Sequence, residues 1–214
     1  MDTTTSTSDS TPTTPTEPTA PGAGLDTRAR YEAANRPLTA VLDAVASAAS
    51  AATDATDAWS QPSPCEGWAA RDVVRHLVET QRDFLARHDL EVGSAPDVDA
   101  DPAAAWAEHA RRVLDVLADP TVPATAFDGH FGPTTIGDTL SQFYVWDMIV
   151  HRWDVATAAG LDAGFTDAEL DAMDAGADSF GEALHMDGIC KPAVEVTEPA
   201  DRATVVLARL GRRA

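Results

Sequence analysis

The sequence predicts an all-α protein, a four-helix bundle with short C-terminal additions. Four long segments carry apolar residues at the three- and four-residue spacing of a helix face. Proline and glycine punctuate the connections between these segments, and no internal repeat is visible. The chain of 214 residues is 44% hydrophobic and has five tryptophans, so it can bury the core of one domain. These features favour helices packed on helices.

The first 24 residues differ from the rest of the chain. They are almost entirely Thr, Ser, Pro and small residues, which bury too little apolar surface to offset the entropy lost on folding. We therefore predict a disordered tail over residues 1–24 and the helical bundle over residues 25–214.

The first three helices follow the tail in order. Asp26 or Thr27 can cap a first helix that runs to about residue 50, and Pro37 predicts either a kink or the true helix start. A proline-rich loop precedes the second helix, about residues 69–88, and an acidic loop precedes the third, about residues 102–118. Each helix carries an apolar stripe that can face a common core.

The fourth helix, residues 134–160, is the longest stretch that reads as one helix. Trp146 and Trp153 lie seven residues apart in it, and Gly160 is well placed to end it. The predicted C-terminal additions are a helix from the cap Thr166 to about residue 185, an edge strand at residues 193–197 and a short helix at residues 203–210.

The charge of the chain argues against some classes of partner. The formal net charge is −20, with a single lysine among 15 basic residues. Binding to phosphate backbones or anionic membranes requires clustered positive charge, so we expect no nucleic acid and no membrane partner. There is no apolar run long enough to span a bilayer and no basic, apolar leader. Cys65 and Cys190 are too few for a disulfide framework, so we expect a cytoplasmic location.

The most suggestive chemistry lies in the fourth helix. Asp147 and His151 are four residues apart, so both side chains project from one helix face and can chelate one divalent metal. His76, which follows Asp72 by four residues, can add a ligand from the second helix. Acidic residues occupy 35 of 214 positions, so six histidines would give about one such pair by chance, and the spacing alone is weak evidence. The apolar context adds weight, because an unpaired carboxylate or imidazole is costly to bury.

These residues also have interpretations that need no metal. Asp72 falls near the N3 position of the second helix, where its carboxylate can bond back to the N–H of the cap residue. His76 and His151 can be core histidines satisfied by hydrogen bonds. Asp147 can pair with Arg152.

The other candidate residues rank lower. His88, His109 and His185 lie near helix ends or on faces that look exposed, so we expect them to be solvated. His130 lies in a GHFGP loop that can line a substrate entrance. Cys65 has no CxxC partner, and we expect a small buried residue there rather than a soft metal ligand.

Four segments carry a resemblance to a known family. They are PCEGW at 64–68, RDVVRHL at 71–77, DMIVHRWD at 147–154 and VLARLGR at 206–212. In this order they resemble the DinB-like superfamily, and the closer similarity is to the N-terminal domain of actinobacterial mycothiol-dependent maleylpyruvate isomerases. The similarity covers about residues 28–212. That fold is a four-helix bundle that binds a divalent metal, usually zinc or nickel, and the resemblance implies His76, Asp147 and His151 as its ligands.

Two departures from the family pattern bear on the substrate. The isomerases use Glu at the position of Asp147, and the shorter Asp requires the metal to sit closer to the helix. Arg152 stands where relatives often carry glycine, so it can narrow the pocket or attract an anionic substrate. Asp154 and Asp72 are the candidates for orienting a ligand from outside the coordination sphere.

The resemblance implies a metal-dependent thiol S-transferase or isomerase. It would activate a thiol of the mycothiol type on zinc or nickel and act on a small electrophile. One alternative is a non-catalytic metal-binding domain, with a fourth protein ligand such as Asp72 or His185. The other is a bundle without metal. The sequence leaves the oligomeric state open, a homodimer included.

Overall fold

A computed structural model describes residues 26–51, 57–186, 188–197 and 199–214, so the predicted tail at residues 1–24 lies outside it. The described chain is mostly helical with one two-stranded sheet, which confirms the predicted all-α fold. In this part of the chain, no helix is both long and apolar enough to cross a membrane. The elements are α1 (Thr27–Ala51), α2 (Ala70–Ala86), α3 (Pro102–Val116), α4 (Thr121–Ala124), β1 (Ala126–Gly129), β2 (Gly132–Thr135), α5 (Ile136–Thr139), α6 (Trp146–Ala158), α7 (Asp167–Phe180) and α8 (Arg202–Arg209).

The bundle is formed by α1, α2, α3 and the helical run that ends in α6. Helices α1 and α2 each pack against both α3 and α6, so the four apolar stripes meet in one core. The predicted cap is confirmed at Asp26, whose Oδ1 accepts a hydrogen bond from the N–H of Ala29 at 2.7 Å. Pro37 lies inside α1, so it does not mark the start of the helix.

The helix predicted for residues 134–160 is built in three parts. Its first residues belong instead to a hairpin, in which β1 and β2 pair antiparallel from Ala126–Thr135 to Gly129–Gly132. The helical run then starts at α5, passes through a π-helical segment at residues 140–145 and continues as α6. Four-residue strands that are partly exposed show little apolar alternation, so periodicity does not predict the hairpin.

The C-terminal additions pack on the outside of α6. Helix α7 begins at the predicted cap Thr166, which forms a reciprocal capping box with Glu169. The strand predicted at residues 193–197 is wrong, because this segment is irregular. Its contact with the rest of the fold includes one backbone bond, from the N–H of Val194 to the carbonyl oxygen of Ala208 at 2.9 Å. A strand needs a neighbouring strand to pair with, and here the neighbour is helix α8.

A buried polar network joins α1, α2 and α3. The hydroxyl of Tyr31 donates to Oε1 of Gln81 at 2.8 Å, and Nε2 of His109 lies 3.0 Å from the same oxygen. All three side chains are fully buried, so the expectation that His109 is solvated is wrong. His109 follows Trp106 by three residues and precedes Val113 by four, which places it on the core face of α3.

Candidate metal centre

The three predicted ligands come from two neighbouring helices. His76 lies in the middle of α2, whose apolar face packs against α6. Asp147 and His151 lie one turn apart near the start of α6, directly after the π-helical segment. Such segments add a residue to the turn and are frequent at functional sites.

The two histidine rings meet at the Asp147 carboxylate. Nε2 of His76 lies 3.2 Å from Oδ2 of Asp147, and Nε2 of His151 lies 3.2 Å from Oδ1. The ring centroids are 5.1 Å apart and the rings are nearly perpendicular. One ligand atom from each residue lies within 4.8 Å of the other two. His151 is buried, while His76 and Asp147 are partly exposed, so the group faces solvent from one side.

The electrostatics of the three residues suit a cation. Burial by itself would raise the pKa of Asp147, but the charge and hydrogen bonds of His151, and then of His76, hold it well below its usual range. Burial would likewise lower the pKa of His151, but the Asp147 carboxylate raises it well above its usual range. Asp147 and His151 therefore each stabilise the charged form of the other. The same carboxylate oxygens and imidazole nitrogens are ligands of zinc and nickel, and a metal competes with a proton for the imidazole.

Asp154 contacts the ring nitrogen of His151 that does not face Asp147. Its Oδ2 lies 2.7 Å from Nδ1 of His151, so Nδ1–H donates to this carboxylate, and Nε2, on the side of Asp147, is the nitrogen that would lose its proton to bind a metal. Arg212 holds Asp154 in turn, with Nε 2.9 Å from Oδ1 and Nη2 2.7 Å from Oδ2. Asp154 is fully buried, and the hydrogen bonds and charges of His151 and Arg212 keep its pKa low although burial opposes this. Sequence spacing gave no sign of Arg212, which is 58 residues from Asp154.

Cys65 lies beside His151 and Asp154, whereas we expected only a small buried residue at this position. Its Sγ is 3.4 Å from Oδ2 of Asp154 and 3.9 Å from Nδ1 of His151. Cys65, His151 and Asp154 thus form a second group with atoms at ligand distances. The guanidinium of Arg212 already supplies the positive charge that Asp154 needs, which disfavours a second metal there.

A cavity of about 450 Å³ opens on two of the three predicted ligands, His76 and Asp147; we call it the metal-side cavity. His130, a predicted pocket residue, also lines this cavity, from the loop of the hairpin. A larger cavity, about 810 Å³, lies at the N-terminus of α1. None of the candidate ligands lines that larger cavity, so the chemistry points to the smaller one.

Comparison with known families identifies the family of this chain. The profile of the mycothiol maleylpyruvate isomerase N-terminal domain family matches residues 38–156, more than half of the chain. The chain belongs to this DinB-like family. No curated protein and no solved structure matches it. The matched region contains His76, Asp147 and His151, whereas Arg212 lies beyond its end.

Two residues that we expected close to the metal site, Arg152 and Asp72, make their contacts away from it. Arg152 is fully buried on the far side of α6, where Nη1 bonds Oε1 of Glu169 at 2.6 Å and the guanidinium lies over the ring of Phe165. It therefore does not line the metal-side cavity, because successive residues of a helix point about 100° apart. Asp72 accepts from the N–H of Ala69 at 2.9 Å, which confirms the capping interpretation.

Proposed function

We propose that this protein binds one divalent metal, zinc in preference to nickel, through His76, Asp147 and His151. We further propose that it uses this metal with a small thiol of the mycothiol type, as an S-transferase or a thiol-assisted isomerase. The observation that carries the proposal is the approach of two imidazole nitrogens to separate oxygens of one carboxylate, at the wall of an open cavity. Membership of a family whose name refers to mycothiol supports the thiol.

The surrounding residues have separate roles in this proposal. A metal bound here would lower the pKa of a thiol so that the nucleophilic thiolate forms near neutral pH. Asp154 fixes the tautomer and the orientation of His151, and Arg212 fixes Asp154. The metal-side cavity holds the electrophile beside the ligands.

The ligand count favours catalysis over a purely structural role. A closed structural site needs a fourth protein ligand, whereas a catalytic site keeps a position open. Within the described part of the chain, the group at Asp147 has three members. Asp72 caps α2 and pairs with Arg75, and His185 is exposed, so neither supplies a fourth ligand in this arrangement.

Elemental analysis of the purified protein tests the proposal. We expect about one zinc or nickel per chain in the wild type and almost none in His151→Ala. The control is His185→Ala, which removes an exposed histidine outside the group and should keep the metal. A wild type that binds neither ion after reconstitution would overturn the metal site. Bound metal without turnover of any thiol with any electrophile would leave a non-catalytic metal-binding domain.

A further inference from the structure

We infer that the second substrate of this site is a neutral, apolar electrophile, preferably aromatic, rather than a dicarboxylic acid. The inference rests on the proposed function for the role of the metal and thiol. The inference concerns which electrophile the metal-side cavity binds next to the metal and the thiol. It is drawn from the residues that line this cavity.

The wall of the metal-side cavity is aromatic. Phe131 stacks on Phe143 with centroids 6.1 Å apart, and Phe143 meets Phe180 edge-on at 5.4 Å. Phe180 in turn lies 5.3 Å from Trp146, the residue next to Asp147. All four side chains line the cavity. A continuous surface of ring faces and edges beside the ligands suits a flat apolar molecule.

The rim of this cavity is apolar as well. The described residues include four large hydrophobic side chains that are exposed, and three of them line this cavity: Phe131, Met186 and Ile189. Large apolar side chains that gather at a cavity mouth are a sign of ligand binding, whereas scattered ones are normal. Phe131 is 65% exposed, so a bound ligand would cover apolar surface that water now covers.

The charges of the cavity do not favour an anion. Among the described residues that line it, none is Arg or Lys, and Asp147 is acidic. With metal bound, the charges of the divalent ion, of Asp147 and of one thiolate cancel, so the centre retains no net attraction for a second anion. A carboxylate or sulfonate brought into this cavity would lose water without gaining a cationic partner.

The main alternative is an anionic substrate whose charge is paired with Arg87. This residue lines a neighbouring cavity of about 600 Å³, which shares His130, Phe131 and Phe143 with the metal-side cavity. An anionic substrate that reached across the shared wall could pair with Arg87. That explanation predicts a preference for anions that disappears in Arg87→Gln, so the two can be separated.

The reaction that follows from this inference is S-arylation or S-alkylation. In a neutral haloarene that carries electron-withdrawing substituents, the thiolate sulfur adds to the carbon that bears the halogen and forms the C–S bond. The C–halogen bond then breaks, and the halide leaves with its electron pair. The thiol proton passes to solvent. No oxidation or reduction takes place.

A matched pair of fluorescent probes tests the cavity without any turnover. N-phenylnaphthylamine is neutral, and anilinonaphthalene sulfonate has the same ring system with an anionic group. We expect the metal-free protein to bind the neutral probe at least about tenfold more tightly. Phe131→Ala should weaken binding of the neutral probe about three- to tenfold. Ile189→Lys should improve binding of the sulfonate, and so reduce the ratio of the two probes' dissociation constants. The control is Val205→Ala, because Val205 is also exposed, at 46%, but does not line this cavity.

Each outcome decides between the two proposals. Equal or tighter binding of the sulfonate would overturn the inference, as would an effect of Val205→Ala equal to that of Phe131→Ala. If metal-loaded protein turns over thiols with anionic electrophiles in preference to haloarenes, the inference fails and the proposed function stands. If the neutral probe binds as expected but no metal or turnover is found, the proposed function fails and the apolar cavity stands.

Discussion

The contact between Asp154 and His151 is expected to determine metal affinity. Asp154→Asn removes the charge and leaves one oxygen where the carboxylate has two, while Arg212 and His151 both need an acceptor. Outer contacts of this kind change metal affinity by about 10- to 100-fold, or about 1.4 to 2.8 kcal/mol. We expect zinc affinity to fall by that factor. Asp154→Ala is a poorer choice, because it also leaves a void beside the buried Arg212.

Arg212→Gln is the matched control for this prediction. It breaks the same buried ion pair but keeps the carboxylate on Nδ1 of His151. Both variants should lose about 3 to 5 kcal/mol in the free energy of unfolding, because each leaves one buried charge without its partner. Zinc affinity should fall only in Asp154→Asn, since a carboxylate freed from Arg212 still orients the imidazole and makes it more basic.

The assay combines two measurements on each protein. Competition with a chromophoric chelator near neutral pH gives the zinc dissociation constant, and urea unfolding gives the stability. Equal losses of zinc affinity in the two variants would show that affinity follows stability rather than the Asp154–His151 contact. Wild-type affinity in Asp154→Asn would remove Asp154 from the site altogether.

Three further predictions concern the fold around the site. Burial, then the charges of Arg82 and Arg112, lower the pKa of His109 to about 3, so the folded state loses stability relative to the unfolded state as the pH falls below about 6.5. Urea unfolding at pH 7 and pH 5 should show the advantage of wild type over His109→Gln shrinking by up to about 2 kcal/mol; a constant difference would contradict a neutral buried ring. In Gly176→Ala the new Cβ would lie 2.2 Å from the indole of Trp146, so we expect a lower melting temperature and a loss of about 1 to 3 kcal/mol, although Ala favours helix. Glu169→Gln should destabilise the protein by about 3 to 5 kcal/mol, because Arg152 stays buried without a carboxylate, yet leave the metal content unchanged; loss of metal would place Arg152 in the site after all.

The features that the sequence predicted well depend on neighbours along one helix. The bundle helices follow from apolar periodicity, and Thr166 and Asp26 are caps because of residues three positions away. The proximity of Asp147 and His151 is of the same kind, because any helix brings residues four apart onto one face. His109 is the exception, because we expected it to be solvated although its spacing from Trp106 and Val113 in the same helix indicates the core face.

The features that only the tertiary structure decided depend on how helices pack. His76 reaches Asp147 across 71 residues, and Arg212 reaches Asp154 across 58. A helical pattern gives the relative directions of side chains around its own axis, but crossing angles and connections decide which face meets which neighbour. Arg152 shows the consequence, since it follows His151 directly and yet points at Glu169. The sequence by itself determined the bundle helices and the local Asp147–His151 pair, whereas packing determined the approach of His76, the support of His151 by Asp154 and Arg212, and the aromatic wall of the cavity.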